Sequence, residues 1–174
     1  MSRYVLLCCQ FLFGAAFAVS LWSKVRNRRA YAEFAAAIPQ LAPWAPARLA
    51  GPGVVLAEAA IVGLVAVPAS APAGFALATA LLAAFTVAIA GTVRRQRAVT
   101  CQCFGKSTTP VGPAHLIRNG VLLLFAIAGL LTGLAADPGP VVPGILAAAA
   151  LTGLVAAAVV VLTDQIAELF RSTV

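Results

Sequence analysis

Charge is what this sequence has least of. Lys, Arg, Asp and Glu make up 10% of its 174 residues, against about 25% in an ordinary soluble domain. A soluble globule of this length must cover its core with charge, and so few ionised side chains cannot do it. A soluble enzyme and a disordered chain are both excluded. The chain also lacks the usual marks of catalysis. It has one His, so no His pair can hold a haem. It contains no phosphate-cradling glycine loop, no HExxH and no Ser-His-Asp order, and nothing in it favours primary transport. Four Cys in so apolar a chain do not make a small disulfide scaffold. No internal repeat stands out.

What is present is apolar sequence. Hydrophobic residues reach 62% and the mean hydropathy is +1.00, which describes a polytopic membrane protein of one domain, residues 1–174. A hydrocarbon core about 30 Å thick takes about 20 apolar residues in a helix. Twenty uncharged residues separate Arg3 from Lys24 and form the first span, about 4–23. Thirty-five separate Glu58 from Arg94, too many for one helix, and Pro68, Ser70 and Pro72 break them. The second span is therefore expected near 50–68, with Glu58 inside it, and the third near 72–93. The fourth lies near 114–135. After a turn at Asp137-Pro138-Gly139-Pro140 the fifth runs near 141–163. The expected fold is an all-α transmembrane bundle of four to five spans. The first span is read as retained, because its n-region holds only Arg3 and its apolar run is too long for a signal peptide.

Two connections are long. The first, about 24–49, begins basic and continues with Pro39, Pro43 and Pro46; it reads as an amphipathic piece lying on the membrane. Trp22 and Trp44 suit the interface. The second, about 94–113, reads RRQRAVTCQCFGKSTTPVGP. With five spans, both connections and the C-terminus share a side, and eleven of the twelve basic residues fall there, leaving only Arg3 opposite. The positive-inside rule puts that side in the cytoplasm of a multi-pass cell-membrane protein. The excess of base bears on topology and lipid, and no nucleic-acid partner is expected.

The sharpest chemical feature is Cys101-Gln102-Cys103-Phe104-Gly105. A disulfide between thiols one residue apart closes a very small ring and is strained, and strained, accessible disulfides are the reducible, catalytic kind. Arg94, Arg95, Arg97 and Lys106 flank the pair, and positive charge favours the nucleophilic thiolate. Two incidental small residues in a loop remain the alternative. A metal site of Cys101, Cys103 and His115 would be one ligand short and matches no common zinc spacing, so neither metal nor cofactor is expected. Glu58, roughly 12 Å deep in its span, needs a buried partner. Arg118, roughly 7 Å deep in the fourth span, is the candidate; a structural ion pair and a proton-transfer role are both open. His115, Arg118 and Asn119 stand at i, i+3 and i+4 on one helix face, where His115 either serves a thiol or simply hydrates the interface. Cys8 and Cys9, near the opposite membrane face, read as apolar filling. Gly14, Gly63, Gly74, Gly91, Gly129, Gly133 and Gly153 suit close helix packing.

The order of these features resembles the MauE family, the methylamine-utilisation membrane proteins within the wider MauE/DoxX redox-associated group. The specific part is the block from Cys101-x-Cys103-Phe104-Gly105 to His115-x-x-Arg118-Asn119; Lys24 and Glu58 add to it. The resemblance implies a protein that assists maturation of methylamine dehydrogenase, whose small subunit is rich in disulfides, together with a thioredoxin-like partner outside the cytoplasm. The charge pattern puts the thiols inside, and the charge pattern is the one adopted here. If the protein is an enzyme, it is a thiol–disulfide oxidoreductase. Its site would be Cys101 and Cys103 as redox pair, His115 and Arg118 tuning the thiolate, and Glu58 pairing or taking a proton. The rival functions are a non-catalytic assembly scaffold and a small-solute carrier built on Glu58.

Overall fold

A computed structural model describes the backbone of residues 2–95, 113–135 and 142–171. The described residues form six helices: α1 (Ser2–Val25), α2 (Arg28–Leu41), α3 (Ala47–Ala66), α4 (Ala71–Arg94), α5 (Pro113–Ala135) and α6 (Pro143–Arg171). All but α2 are long and apolar enough to cross a membrane, so the chain is a multi-pass helical membrane protein.

Proline and side-chain capping set the boundaries. Val67 takes extended backbone, φ −106° and ψ 120°, as the residue before Pro68 must. The Ser70 hydroxyl then donates to the Leu64 carbonyl at 2.9 Å, satisfying one of the last carbonyls of α3. The break expected at 68–72 is this turn. At the other end α3 starts at Ala47, earlier than the expected 50. The last helix also outruns its expected end. Its apolar span closes at Leu162, but residues 163–171 contain neither Gly nor Pro, and the helix continues to Arg171.

The amphipathic piece expected between spans is α2. Asn27 caps it, its side-chain oxygen accepting from the Ala30 N–H at 2.8 Å. An exposed Arg29–Glu33 pair at i, i+4 lies on its outer side. Its inner face buries Phe34 and Ile38, and α2 packs on α1, α3 and α4.

Helix α1 is the centre of the bundle, packed against α3, α5 and α6, while α4 packs against α3 and α5. Phe13 sits at the core of the contact, stacked on Phe17 with centroids 5.9 Å apart and edge-on to Phe75 at 5.6 Å. Lipid supplies no hydrophobic drive between helices, so close approach through small residues has to supply contact instead. Gly153 shows this most directly. A Cβ built there would lie 2.6 Å from the Cys8 carbonyl oxygen and 3.1 Å from the Leu12 amide nitrogen. Gly74 and Gly129 are closed in the same way by Val65 and Phe75, but Gly63 is not, since a Cβ there meets nothing within 4 Å. The expectation of close packing fails at that position. Leu151, Val155, Val159 and Leu162 of α6 and Leu124 and Leu131 of α5 stay exposed, forming the face that lipid covers.

Gly153→Val must push α6 away from the α1 backbone. It should cost about 1–3 kcal/mol, seen as a lower midpoint of thermal unfolding in detergent. Gly63→Ala meets open space and should instead raise that midpoint slightly, since Ala is the better helix former.

Candidate functional site

Ser20 and Lys24 stand one turn apart on α1, and Glu58 faces them from the middle of α3. The Lys24 Nζ donates to Glu58 Oε1 at 2.9 Å and to Ser20 Oγ at 2.7 Å. The Ser20 hydroxyl in turn donates to the same Oε1 at 2.9 Å. Ser20, Lys24 and Glu58 are all buried, with Lys24 and Glu58 only 1% exposed. A carboxylate inside an apolar helix is tolerated only when paired and hydrogen-bonded, and this triangle meets that condition through one oxygen. The other, Oε2, is buried with no hydrogen-bond partner among the described residues. Above the ammonium lies the Phe34 ring of α2, its centroid 5.2 Å from Nζ, a cation–π contact that closes the site from the bundle end. Lys24 also sits in the last turn of α1, where the helix dipole favours a cation.

This corrects the expected pairing of Glu58 with Arg118. Glu58 takes its partner from α1, because α3 packs on α1 and α4 while α5 packs on the other sides of those two helices. Glu58 lies eleven residues beyond Ala47, the first residue of α3, or about 16 Å along the helix axis. Sequence reasoning counted Lys24 among the cations of the first connection. Its signals were position, as the charge that ends the first apolar run, and its place beside Glu58 in the family resemblance.

His115, Arg118 and Asn119 are all buried in the opening turns of α5, on one face as their spacing predicts. His115 is thus covered by protein at the start of α5. Leu116 beside it packs against buried Ile89 of α4, which Val93 and Leu41 of α2 also contact. These opening turns thus lie at the end of the bundle that carries α2, where Lys24 also lies. Cys101 and Cys103 lie outside the described residues, as does the turn at 137–140, so the metal alternative that joined the two thiols to His115 falls partly outside them too. The chain leaves the end of α4 at Arg95 and resumes as helix at Pro113. Cys9 is buried in the core among Leu6, Leu12 and Phe13, and Cys8 is half-buried. Lys24 is fifteen residues beyond Cys9 on α1, about 22 Å along the axis. Cys9 is a packing group of the core.

The family model described as methylamine utilisation protein MauE matches residues 2–132, about three quarters of the chain. The chain belongs to the MauE family. The matched stretch runs from the start of α1 almost to the end of α5. It takes in Lys24, Glu58, the segment with Cys101 and Cys103, and the His115–Asn119 turn. Helix α6 lies beyond it, yet packs along α1 as closely as any family helix does. No curated protein and no solved structure matches the chain.

Glu58→Gln leaves the Lys24 ammonium buried without its counter-charge. It should destabilise by about 3–5 kcal/mol, whereas the double change Lys24→Met, Glu58→Leu should recover most of that loss. Equilibrium unfolding of both variants in detergent, beside the parent, measures the loss and its recovery. Glu58→Gln and Arg118→Gln should be additive within about 0.5 kcal/mol.

Proposed function

We propose that the protein carries out thiol–disulfide exchange at the membrane, and so assists maturation of a disulfide-containing client in methylamine utilisation. The observation that carries this reading is the Cys101-x-Cys103 pair, flanked by Arg94, Arg95, Arg97 and Lys106, inside a stretch that matches the family. The described helices support it. The two ends from which that segment departs, Arg95 and Pro113, adjoin the bundle end where buried polar groups collect on α1, α3 and α5.

In this reading one thiolate attacks a partner's disulfide, or is attacked by a partner's thiolate, and the second resolves the mixed disulfide. The partner is a thioredoxin-like protein or the client itself. His115 and Arg118 hold positive or hydrogen-bonding groups toward the thiols, and Glu58 keeps Oε2 available for a proton. Such exchange moves protons together with electrons, and in this reading the buried Glu58 carboxylate, hydrogen-bonded to Ser20 and Lys24, is the acceptor. The basic residues of the two connections support a cytoplasmic side of the cell membrane for both.

The chemistry is tested by trapping. Cys101→Ser and Cys103→Ser should each abolish function. One of them should accumulate a covalent complex that dithiothreitol dissolves, because its resolving thiol is gone. Cys8→Ser and Cys9→Ser should do neither and should cost about 1 kcal/mol of stability at most. Normal pathway activity in the Cys101→Ser, Cys103→Ser double variant would end the redox reading. Orientation is tested separately, in a chain whose four native Cys are Ser. An impermeant maleimide added to intact cells should label Asp137→Cys but not Arg29→Cys; the reverse pattern would place the thiols outside.

A further inference from the structure

Phe34 also lines an apolar cleft. This cleft of about 300 Å³ opens between α2, the turn after it, α3 and α4, a volume at the small end of small-molecule sites. Three aromatic rings line it, Phe34 from α2, Trp44 from the turn and Phe85 from α4, with Leu81 and Ile89 beside them. No charged residue lines it, and the only polar side-chain hydrogen among its lining residues is the indole N–H of Trp44, a residue that is 66% exposed. Flat rings and a hydrocarbon wall with one donor at the mouth suit a flat apolar ring that bears a carbonyl oxygen and an apolar tail.

Position adds to shape. Phe34 is shared: one ring covers the Lys24 ammonium and also lines the cleft. The cleft's α4 wall, at Ile89, is packed against Leu116, the neighbour of His115. The cleft is thus one aromatic ring from the Lys24–Glu58 pair and one side chain from the α5 polar turn.

We propose that this cleft binds a membrane quinone, its ring between Phe34, Trp44 and Phe85 and its prenyl chain along α3 and α4. The role of that quinone rests on the redox reading above. When the Cys101 and Cys103 thiols join as a disulfide, one S–S bond forms from two S–H bonds, and two electrons and two protons are released. The quinone takes up both pairs and becomes the quinol, so the dithiol is oxidised and the quinone reduced, with no other co-reactant. A lipid-soluble two-electron, two-proton acceptor is what such a pair requires in a membrane.

Binding can be read without the thiols. In a Trp22→Phe chain Trp44 is the sole indole, and the protein is placed in phosphatidylcholine nanodiscs. Titration with a decyl-substituted benzoquinone should quench Trp44 saturably. Gly53 lines the cleft and an added Cβ there meets nothing within 4 Å, so Gly53→Phe should fill the cleft and weaken binding at least tenfold. Ala84→Phe should do the same from the α4 wall, and Gly53→Ala should leave binding within twofold. Decanol, which has the chain without the ring, should not compete. Linear quenching that is identical in the two Phe variants, or equal displacement by decanol, would overturn the proposal and leave a groove for lipid tails. The Cys101→Ser, Cys103→Ser variant should bind as well as the parent. Saturable binding with no quinol formed when the quinone meets the reduced parent would keep the quinone site and remove the redox reading.

Discussion

The structure depends on one buried charge pair. Moving an ammonium and a carboxylate out of water is costly, and their attraction does little more than offset that cost. The Lys24–Glu58 contact is therefore a poor source of net stability. What it supplies is a penalty for every other arrangement. If α1 slides against α3 by one turn, about 5.4 Å, two charges are left alone in hydrocarbon. Ser20, one turn before Lys24, completes the triangle and ties the register to a hydroxyl as well as a charge. The remaining packing is apolar and small-residue contact, which is permissive by comparison. The pair fixes α1 against α3, and Phe13, Phe75 and Gly153 then decide how closely α4 and α6 approach.

The same pair gives α2 its place. A helix of fourteen residues is marginal alone and cannot span the membrane. Its inner face carries Phe34 and Ile38, and Phe34 meets a cation that has no access to water. A ring over an ammonium gains most where the ammonium is desolvated, so burial of Lys24 strengthens the contact that holds α2. The helix in turn walls the apolar cleft on one side and shields the charges on the other. One residue thus separates a polar compartment from an apolar one at the same end of the bundle.

Much of this was legible in the sequence. Span number and most boundaries followed from uncharged runs and from Pro68 and Pro72, because hydrocarbon imposes helix and length with little dependence on detail. Burial of Glu58 followed from its position within a span. Its partner did not, because hydropathy says how many helices there are and nothing about which are neighbours. Arg118 and Lys24 were both within plausible reach of the acid, and only the packing of α3 on α1 separates them. Gly63 shows the same blindness: small residues mark candidate contacts, and the bundle uses Gly74, Gly129 and Gly153 while leaving Gly63 to lipid. The cleft was invisible for a further reason. Phe34, Trp44 and Phe85 come from three elements separated by fifty residues of sequence, and no pattern within any one of them announces the gap between.

The arrangement also bears on why an acid is kept where an apolar residue would fold more easily. An apolar pair of similar volume is often as stable as a buried ion pair or more so, so stability alone does not account for Lys24 and Glu58. Only one carboxylate oxygen is used in the triangle. The second is buried without a donor among the described residues. A proton is the smallest species that can occupy it without moving a helix. Taking one would neutralise the acid, weaken its hold on Lys24 and thereby loosen the seat of Phe34 at the cleft. In the proposed function, protonation at α3 and the packing of α2 are therefore coupled through Lys24 and Phe34.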